Sequence, residues 1–91
     1  MSVISVERQA GEDRLQALGV RDWPIWSKAP SEFPWTYDET ETCYLLEGQV
    51  RVAPRSGEPV EIGKGDLVIF PRGLSCTWKI LETVRKHYDF S

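Results

Sequence analysis

The residues that could do chemistry are few, and a carboxylate comes first among them. Glu41 and Cys43 lie two positions apart in a β-rich stretch, so both project from the same face of a strand. Cys76 is the second thiol, and His87 is the only histidine. One carboxylate and two thiolates could hold a soft metal such as zinc, but the chain lacks the close Cys-x-x-Cys spacing typical of such sites. A site built from several imidazoles is excluded within one chain.

Several other kinds of site are missing from the sequence. Gly63-Lys64-Gly65 has no following helix, so it is interpreted as a hairpin turn and not as a phosphate-binding loop. There is no serine elbow and no cysteine–histidine pair with supporting spacing. The formal charge of −3 argues against a general nucleic-acid binder, which needs a basic stripe. Apolar runs are too short for a membrane-spanning helix, so no membrane contact is expected.

The cysteine usage and the amino terminus together indicate a compartment. Two cysteines are fewer than a small disulfide-stapled secreted domain usually carries. Residues 1–8 show no cationic start followed by a long apolar stretch, so no export signal is expected. We therefore predict reduced thiols in a cytoplasmic protein, with a Cys43–Cys76 disulfide as the less favoured alternative.

The elements that must position these residues are mostly strands. With 91 residues, the chain is predicted to form a single domain, 1–91. A short helix is expected over residues 12–18, because acids occupy its first turn and Gly19 supplies a stop. Glycine and proline then punctuate short β-rich runs, which is typical of an all-β sandwich or barrel. The predicted strands are 23–26, 33–37, 39–46, 49–52, 60–62, 67–70, 74–80 and 84–90.

Turns are predicted between these runs, at Glu47-Gly48, at Gly63–Asp66 and at Pro71–Gly73. We interpret Gly48 as a hairpin corner, because positive φ there suits only glycine. Short charged groups are interpreted as solvated faces: Glu7-Arg8, Glu12-Asp13-Arg14 and Arg85-Lys86.

The spacing of the turns resembles a known family. Gly65, five residues, Pro71, one residue and Gly73 reproduce the frame of the second cupin motif, while Glu41, six residues and Gly48 reproduce the end of the first. The chain is therefore similar to the cupins. The resemblance implies an RmlC-like jelly roll, that is, a small double-stranded β-helix preceded by one short helix.

A closer resemblance covers nearly the whole chain. The segments that carry it are Trp23-Pro24-Ile25-Trp26, Glu41-Thr42-Cys43-Tyr44, Phe70-Pro71-Arg72-Gly73-Leu74 and Arg85-Lys86-His87-Tyr88. They resemble the small stand-alone cupins grouped with ureidoglycine aminohydrolase.

The resemblance also implies that the metal site is degenerate. A typical cupin holds its metal with two histidines and a glutamate of the first motif and a histidine of the second. At the three histidine positions this chain has Trp35, Tyr37 and Cys76, and only Glu41 is retained; Ala29 replaces the opening glycine of the first motif. No cofactor is expected, although a divalent metal on Glu41 and Cys76, with Cys43 or His87 joining, stays open as the less favoured alternative.

The cupin frame places one set of side chains inside the barrel: Trp35, Tyr37, Glu41, Cys43, Cys76 and Trp78. Core filling explains the tryptophans and cysteines equally simply. A buried carboxylate is costly unless it is paired. Glu41 must therefore accept hydrogen bonds from Tyr37 or an arginine, become protonated through burial, or meet water and a ligand. It is a candidate acid–base residue beside a phenol and a thiol, or a member of a satisfied network.

Three functions follow from these observations. The first is a cytoplasmic cupin that binds a small molecule without a metal. The alternative is an enzyme acting on a small ureide or carbonyl compound, with Glu41 as acid or base. The third is an interaction role, because four apolar side chains lie on the opposite strand faces: Tyr44, Leu46, Leu67 and Ile69. A domain this small cannot easily cover both faces, so a homodimer is expected.

Overall fold

The computed structural model describes residues 4–91. Seven strands and one α-helix confirm the prediction of an all-β fold with a short helix near the amino terminus. A 3-10 turn follows the helix at Val20–Asp22. The elements are β1 (Ser5–Glu7), α1 (Glu12–Leu18), β2 (Ile25–Lys28), β3 (Ser31–Thr36), β4 (Glu41–Pro54), β5 (Val60–Gly63), β6 (Leu67–Phe70) and β7 (Ser75–Phe90).

Two sheets share the long strands β4 and β7. The first half of β4 pairs with β6 and with the second half of β7, and β1 and β2 complete this sheet at its two sides. The second half of β4 pairs with β5 and with the first half of β7, and β3 completes the other sheet. All of these pairings are antiparallel. Because β4 and β7 pass from one sheet to the other, the two sheets enclose a common interior.

The continuity of β4 and β7 differs from the sequence prediction. We expected a hairpin turn at Glu47-Gly48, but β4 runs through it and the β4–β7 register shifts between Leu45 and Val50 instead. Gly48 therefore serves a β-bulge and not a corner. Its φ is +101°, and a Cβ there would clash with the Thr83 carbonyl oxygen and lie 2.7 Å from Val84 Cα. A bulge bends a strand without ending it, which is why the prediction of two strands was wrong here.

Other element boundaries moved by a few residues or were missed. The helix was predicted at its observed bounds, and Gly19 ends it in the left-handed conformation with φ +72°. The strand predicted at 23–26 lies at Ile25–Lys28, and the one predicted at 33–37 lies at Ser31–Thr36. The three-residue β1 was not predicted, because Ser5–Glu7 carries too short a pattern to register as a strand.

The main core lies between the sheets and contains Phe70, Trp78 and Leu45 among other buried side chains. A second, smaller core lies on the outer face of β4 and β6. There Leu15 of α1 and Val20 of the 3-10 turn pack on Leu67, with Tyr44 at the edge.

The amino-terminal segment thus covers part of the face for which we expected a partner. Leu67 is buried within the chain, and Tyr44, Leu46 and Ile69 are each partly buried. Leu67 therefore needs no second chain to cover it, because α1 and the 3-10 turn already do. The homodimer itself stays a prediction. Within residues 4–91, no helix is long and apolar enough to cross a bilayer.

Candidate functional site

A cavity of about 240 Å³ opens between the two sheets. Seven aromatic side chains and one ion pair form its lining. The lining residues are Trp26, Phe33, Trp35, Tyr37, Glu41, Trp78, Lys86, Tyr88 and Phe90. They come from β2, β3, β4, β7 and the residue that follows β3.

The two charged residues of the cavity form a buried ion pair. Glu41 begins β4 and Lys86 lies in the second half of β7, and these segments are neighbours in one sheet. Lys86 Nζ donates a hydrogen bond to Glu41 Oε2 over 2.7 Å, and the two side chains are only 6% and 4% exposed. Glu41 is therefore a paired charge, which answers the question of how a carboxylate is accommodated inside the barrel.

Two tryptophans hold the ammonium group of Lys86 in place. Its Nζ lies 4.5 Å from the ring centroid of Trp78 and 5.1 Å from that of Trp26. The two rings meet edge to face, at 86°. Each such cation–π contact contributes about 0.5–2 kcal/mol, and the value is larger when the cation is desolvated. Lys86 is thus fixed by three neighbours and not free to swing out to solvent.

Tyr37 connects this pair to the rest of the core. Trp78 Nε1 donates a hydrogen bond to Tyr37 Oη over 3.2 Å, and the phenol ring stacks on Phe70 at 5.0 Å. The backbone of Tyr37 is also tied to the β6–β7 connection by bonds to Gly73 and Leu74. Burial, helped by the nearby Glu41 carboxylate, raises the pKa of Tyr37 well above its ordinary value. The phenol therefore stays protonated and can donate its own hydrogen.

Both cysteines belong to the core and not to the cavity lining. Cys43 is fully buried and Cys76 is 5% exposed, and both are free thiols, as the sequence predicted. Burial raises the pKa of Cys43 to about 12, against a smaller opposing effect of Lys86. Burial and then the Glu41 carboxylate raise the pKa of Cys76 to about 11. Protonated thiols are poor metal ligands and poor nucleophiles.

The six side chains predicted for the interior occupy three different places in the structure: the cavity wall, its rim and the core. Glu41, Tyr37 and Trp78 are buried and line the cavity. Trp35 lies at the rim, 48% exposed, with its ring edge against Tyr37. Cys43 and Cys76 complete the core behind them.

The sequence analysis missed five lining residues, of which Lys86 is the charged one; the others are Trp26, Phe33, Tyr88 and Phe90. Arg85-Lys86 was interpreted as a solvated face; this is correct for the exposed Arg85 and wrong for Lys86. The missed signal was the alternation along β7, where Trp78, Val84 and Lys86 all occupy even positions. Only a strand that continues through residues 81–83 keeps that parity, and we had predicted a break there.

His87 faces away from the cavity. Its Nδ1 lies 2.9 Å from the carbonyl oxygen of Trp23. A carbonyl only accepts, so Nδ1 carries the proton and donates. His87 therefore anchors the segment that enters β2 and does not contribute to the cavity lining.

The side chains present do not fit the metal that cupins commonly hold. A metal on Glu41 would have to displace or adjoin the Lys86 ammonium, whose charge repels another cation. The other positions offer an indole, a phenol of raised pKa and a protonated thiol, at Trp35, Tyr37 and Cys76. Across residues 4–91, no group of three or more histidine, cysteine, aspartate and glutamate side chains is arranged to hold an ion. The Glu41 end of the cavity is therefore set up for an ion pair and not for a metal ion.

Two antiparallel sheets with shared strands, an aromatic interior and a first-motif glutamate inside it define a cupin. The sequence matches the EutQ-like cupin domain over residues 15–88, and the chain belongs to this family. The prediction of a cupin jelly roll is thus confirmed. No curated protein matches the sequence.

Solved structures agree with this assignment. A DUF861 family protein from Thermotoga maritima is 50% identical with a TM-score of 0.94, covering 98% of this chain and 100% of that one. A putative ethanolamine utilization protein Q from Salmonella typhimurium is 29% identical with a TM-score of 0.66; the match covers 72% of this chain and 53% of the Salmonella chain. The EutQ protein of Clostridium difficile, 16% identical over 98% of this chain and 68% of its own, shares the fold with a TM-score of 0.67.

Proposed function

We propose that this chain is a cytoplasmic cupin that binds a small molecule in its aromatic cavity without a metal. The observation that carries the proposal is the Glu41–Lys86 pair on the cavity floor. Breaking a buried pair costs several kcal/mol, whereas an apolar replacement of the same volume is often neutral or stabilising. A charged pair that lines a cavity is therefore better explained by binding than by stability. Free, buried thiols at Cys43 and Cys76 support a reducing compartment.

The cavity has the features of a small-molecule site. It combines a mostly aromatic lining with two polar groups that converge on one spot, which is the usual composition of ligand pockets. Its rim is formed by Trp35 and Phe90, which are 48% and 43% exposed. A ligand that enters the cavity would cover these two rings. Binding would therefore explain why two large aromatic side chains are exposed in the free protein.

The four tryptophans provide the test, because three line the cavity and Trp23 does not. Protein treated with EDTA is screened by NMR against a library of small metabolites, with the indole Nε1–H signals as reporters. A true ligand shifts the signals of Trp26, Trp35 and Trp78 and leaves that of Trp23 in place. Binding that needs added metal, or that shifts only Trp23, would contradict the proposal.

The alternative is an enzyme that acts on a small ureide or carbonyl compound, in keeping with the resemblance to the ureidoglycine aminohydrolase group. One observation favours it: the Glu41 carboxylate lines the cavity with a proton donor, Lys86, 2.7 Å away. In that case Glu41→Gln should abolish turnover while the far-ultraviolet circular dichroism spectrum stays native. A variant that turns over at the wild-type rate would reject this function.

A further inference from the structure

The charge of the cavity floor indicates what it can bind. Glu41 and Lys86 are the only charged residues among those lining the cavity, and their charges cancel at 2.7 Å. Building on the proposed function, we infer that the site selects an uncharged ligand with a carbonyl oxygen beside an N–H, that is, a small amide on a planar apolar body.

Cationic ligands are disfavoured although the walls are aromatic. Aromatic cages commonly take ammonium groups by cation–π contact. Here the chain's own ammonium already occupies the rings of Trp78 and Trp26, at 4.5 and 5.1 Å from their centroids. A second cation would be repelled by Lys86 and would find these two rings already in use.

Anionic ligands are disfavoured by the other half of the pair. A carboxylate could approach Lys86 only by sharing it with Glu41, which would place two negative charges side by side in a largely buried site. Like charges in low dielectric repel strongly, and an uncompensated buried charge is costly.

An amide satisfies both members of the pair at once. Lysine has three N–H donors, and only one makes a hydrogen bond, to Glu41 Oε2, so a carbonyl oxygen could accept from one that now contacts a tryptophan ring. Glu41 retains acceptor capacity at Oε1 for the amide N–H. Tyr37 accepts from Trp78 and still has its own O–H to donate, so a second donor faces the same space. The aromatic walls would pack on a planar body.

Three probes of similar size test this inference: benzamide, benzoate and benzylammonium. Isothermal titration calorimetry with the wild-type protein in EDTA should give the lowest Kd for benzamide, by about tenfold over each charged probe. Benzoate or benzylammonium binding as tightly as benzamide would overturn the inference while leaving the proposed function intact. Binding of none of the three at millimolar concentration would overturn the inference, whereas the NMR screen described above decides the proposed function separately.

Two variants should reverse the preference. Lys86→Met leaves a lone carboxylate beside vacated tryptophan rings, so benzylammonium should become the tightest probe. Glu41→Gln leaves a lone ammonium, so benzoate should become the tightest. The matched controls are Lys79→Met and Glu82→Gln, which change exposed residues of β7 outside the cavity and should keep the benzamide preference.

The double variant Glu41→Gln/Lys86→Met separates charge selection from shape. It keeps the aromatic walls and removes both charges, so the preference among probes should shrink to less than about threefold. An unchanged benzamide preference in this variant would mean that the pair does not select the ligand. Should a single variant fail to fold, the wild-type comparison of the three probes still decides the inference.

Discussion

At the scale of single residues, Glu41 and Lys86 depend on each other. Each would be an isolated buried charge without its partner, and the two are exposed by only 4% and 6%. The cupin frame correctly suggested that Glu41 faces inward, because its spacing to Gly48 fixes its place in the motif. The inward orientation of Lys86 follows only if β7 is continuous, and its pairing with Glu41, 45 residues away in sequence, leaves no local pattern.

A double-mutant cycle should reveal this dependence. We expect Glu41→Gln and Lys86→Met each to lower the free energy of unfolding by about 3–5 kcal/mol, since each leaves an uncompensated buried charge. The double variant should lose clearly less than the sum of the single losses. Urea unfolding monitored by circular dichroism measures all four proteins, and additive losses would contradict the coupling.

The cysteines should make the fold sensitive to alkali. In the unfolded chain a thiol ionises near its ordinary pKa of 9.0, whereas burial raises the pKa of Cys43 to about 12 and that of Cys76 to about 11. Their contribution is therefore constant below pH 9 and is lost as pH rises from there towards 11–12, at up to about 1.4 kcal/mol per pH unit for each thiol.

Unfolding measured at several pH values checks the alkaline loss against the control Cys43→Ala/Cys76→Ala. The double variant should lose stability more slowly above pH 9, because its folded state no longer excludes two thiolates. At pH 7 the native thiols should resist Ellman's reagent and react fully in urea. Equal slopes for both proteins, or fast labelling of the native protein, would count against buried, protonated thiols.

At the scale of elements, the sequence predicted the kind of each segment better than its limits. The helix ends at Gly19 as expected, because a glycine in the left-handed conformation is a local device. Strands β4 and β7 were each predicted as two pieces. Whether a Glu-Gly pair makes a corner or a bulge depends on the strand that lies opposite, and that strand belongs to a distant part of the chain.

Gly48→Ala tests the bulge. A Cβ at φ +101° would meet the backbone of Thr83 and Val84, so the β7 main chain would have to shift. We expect a loss of about 2–4 kcal/mol in the free energy of unfolding. Gly73→Ala is the control, because Gly73 also has a positive φ, +87°, but nothing within 4 Å of the added atom. Equal losses in the two variants would show that conformation alone, and not the close approach of β7, makes Gly48 necessary.

At the scale of the whole molecule, the jelly-roll architecture was predictable because the cupin frames order the turns along the chain. The covering of the outer face was not, since it depends on where α1 docks. Leu15 and Val20 bury Leu67 there. Docking of a two-turn helix is a tertiary event, and such a helix has little stability of its own.

The expected homodimer is a prediction at this same scale. Large apolar side chains remain exposed at Ile25, Trp35, Leu81 and Phe90, each by more than 40%. Sedimentation velocity over a hundredfold range of protein concentration should show a species of twice the chain mass. A monomer at every concentration would contradict the predicted homodimer.

Because both sheets share β4 and β7, a ligand bound in the cavity should be detectable far from the cavity itself. Glu41 and Lys86 sit on β4 and β7, and each of these strands is hydrogen-bonded into both sheets. A ligand that binds both side chains would link β4 to β7. Because these two strands must separate when the domain unfolds, the ligand would stabilise the whole domain. Amide hydrogen exchange should then slow in both sheets at once, and not only around the cavity.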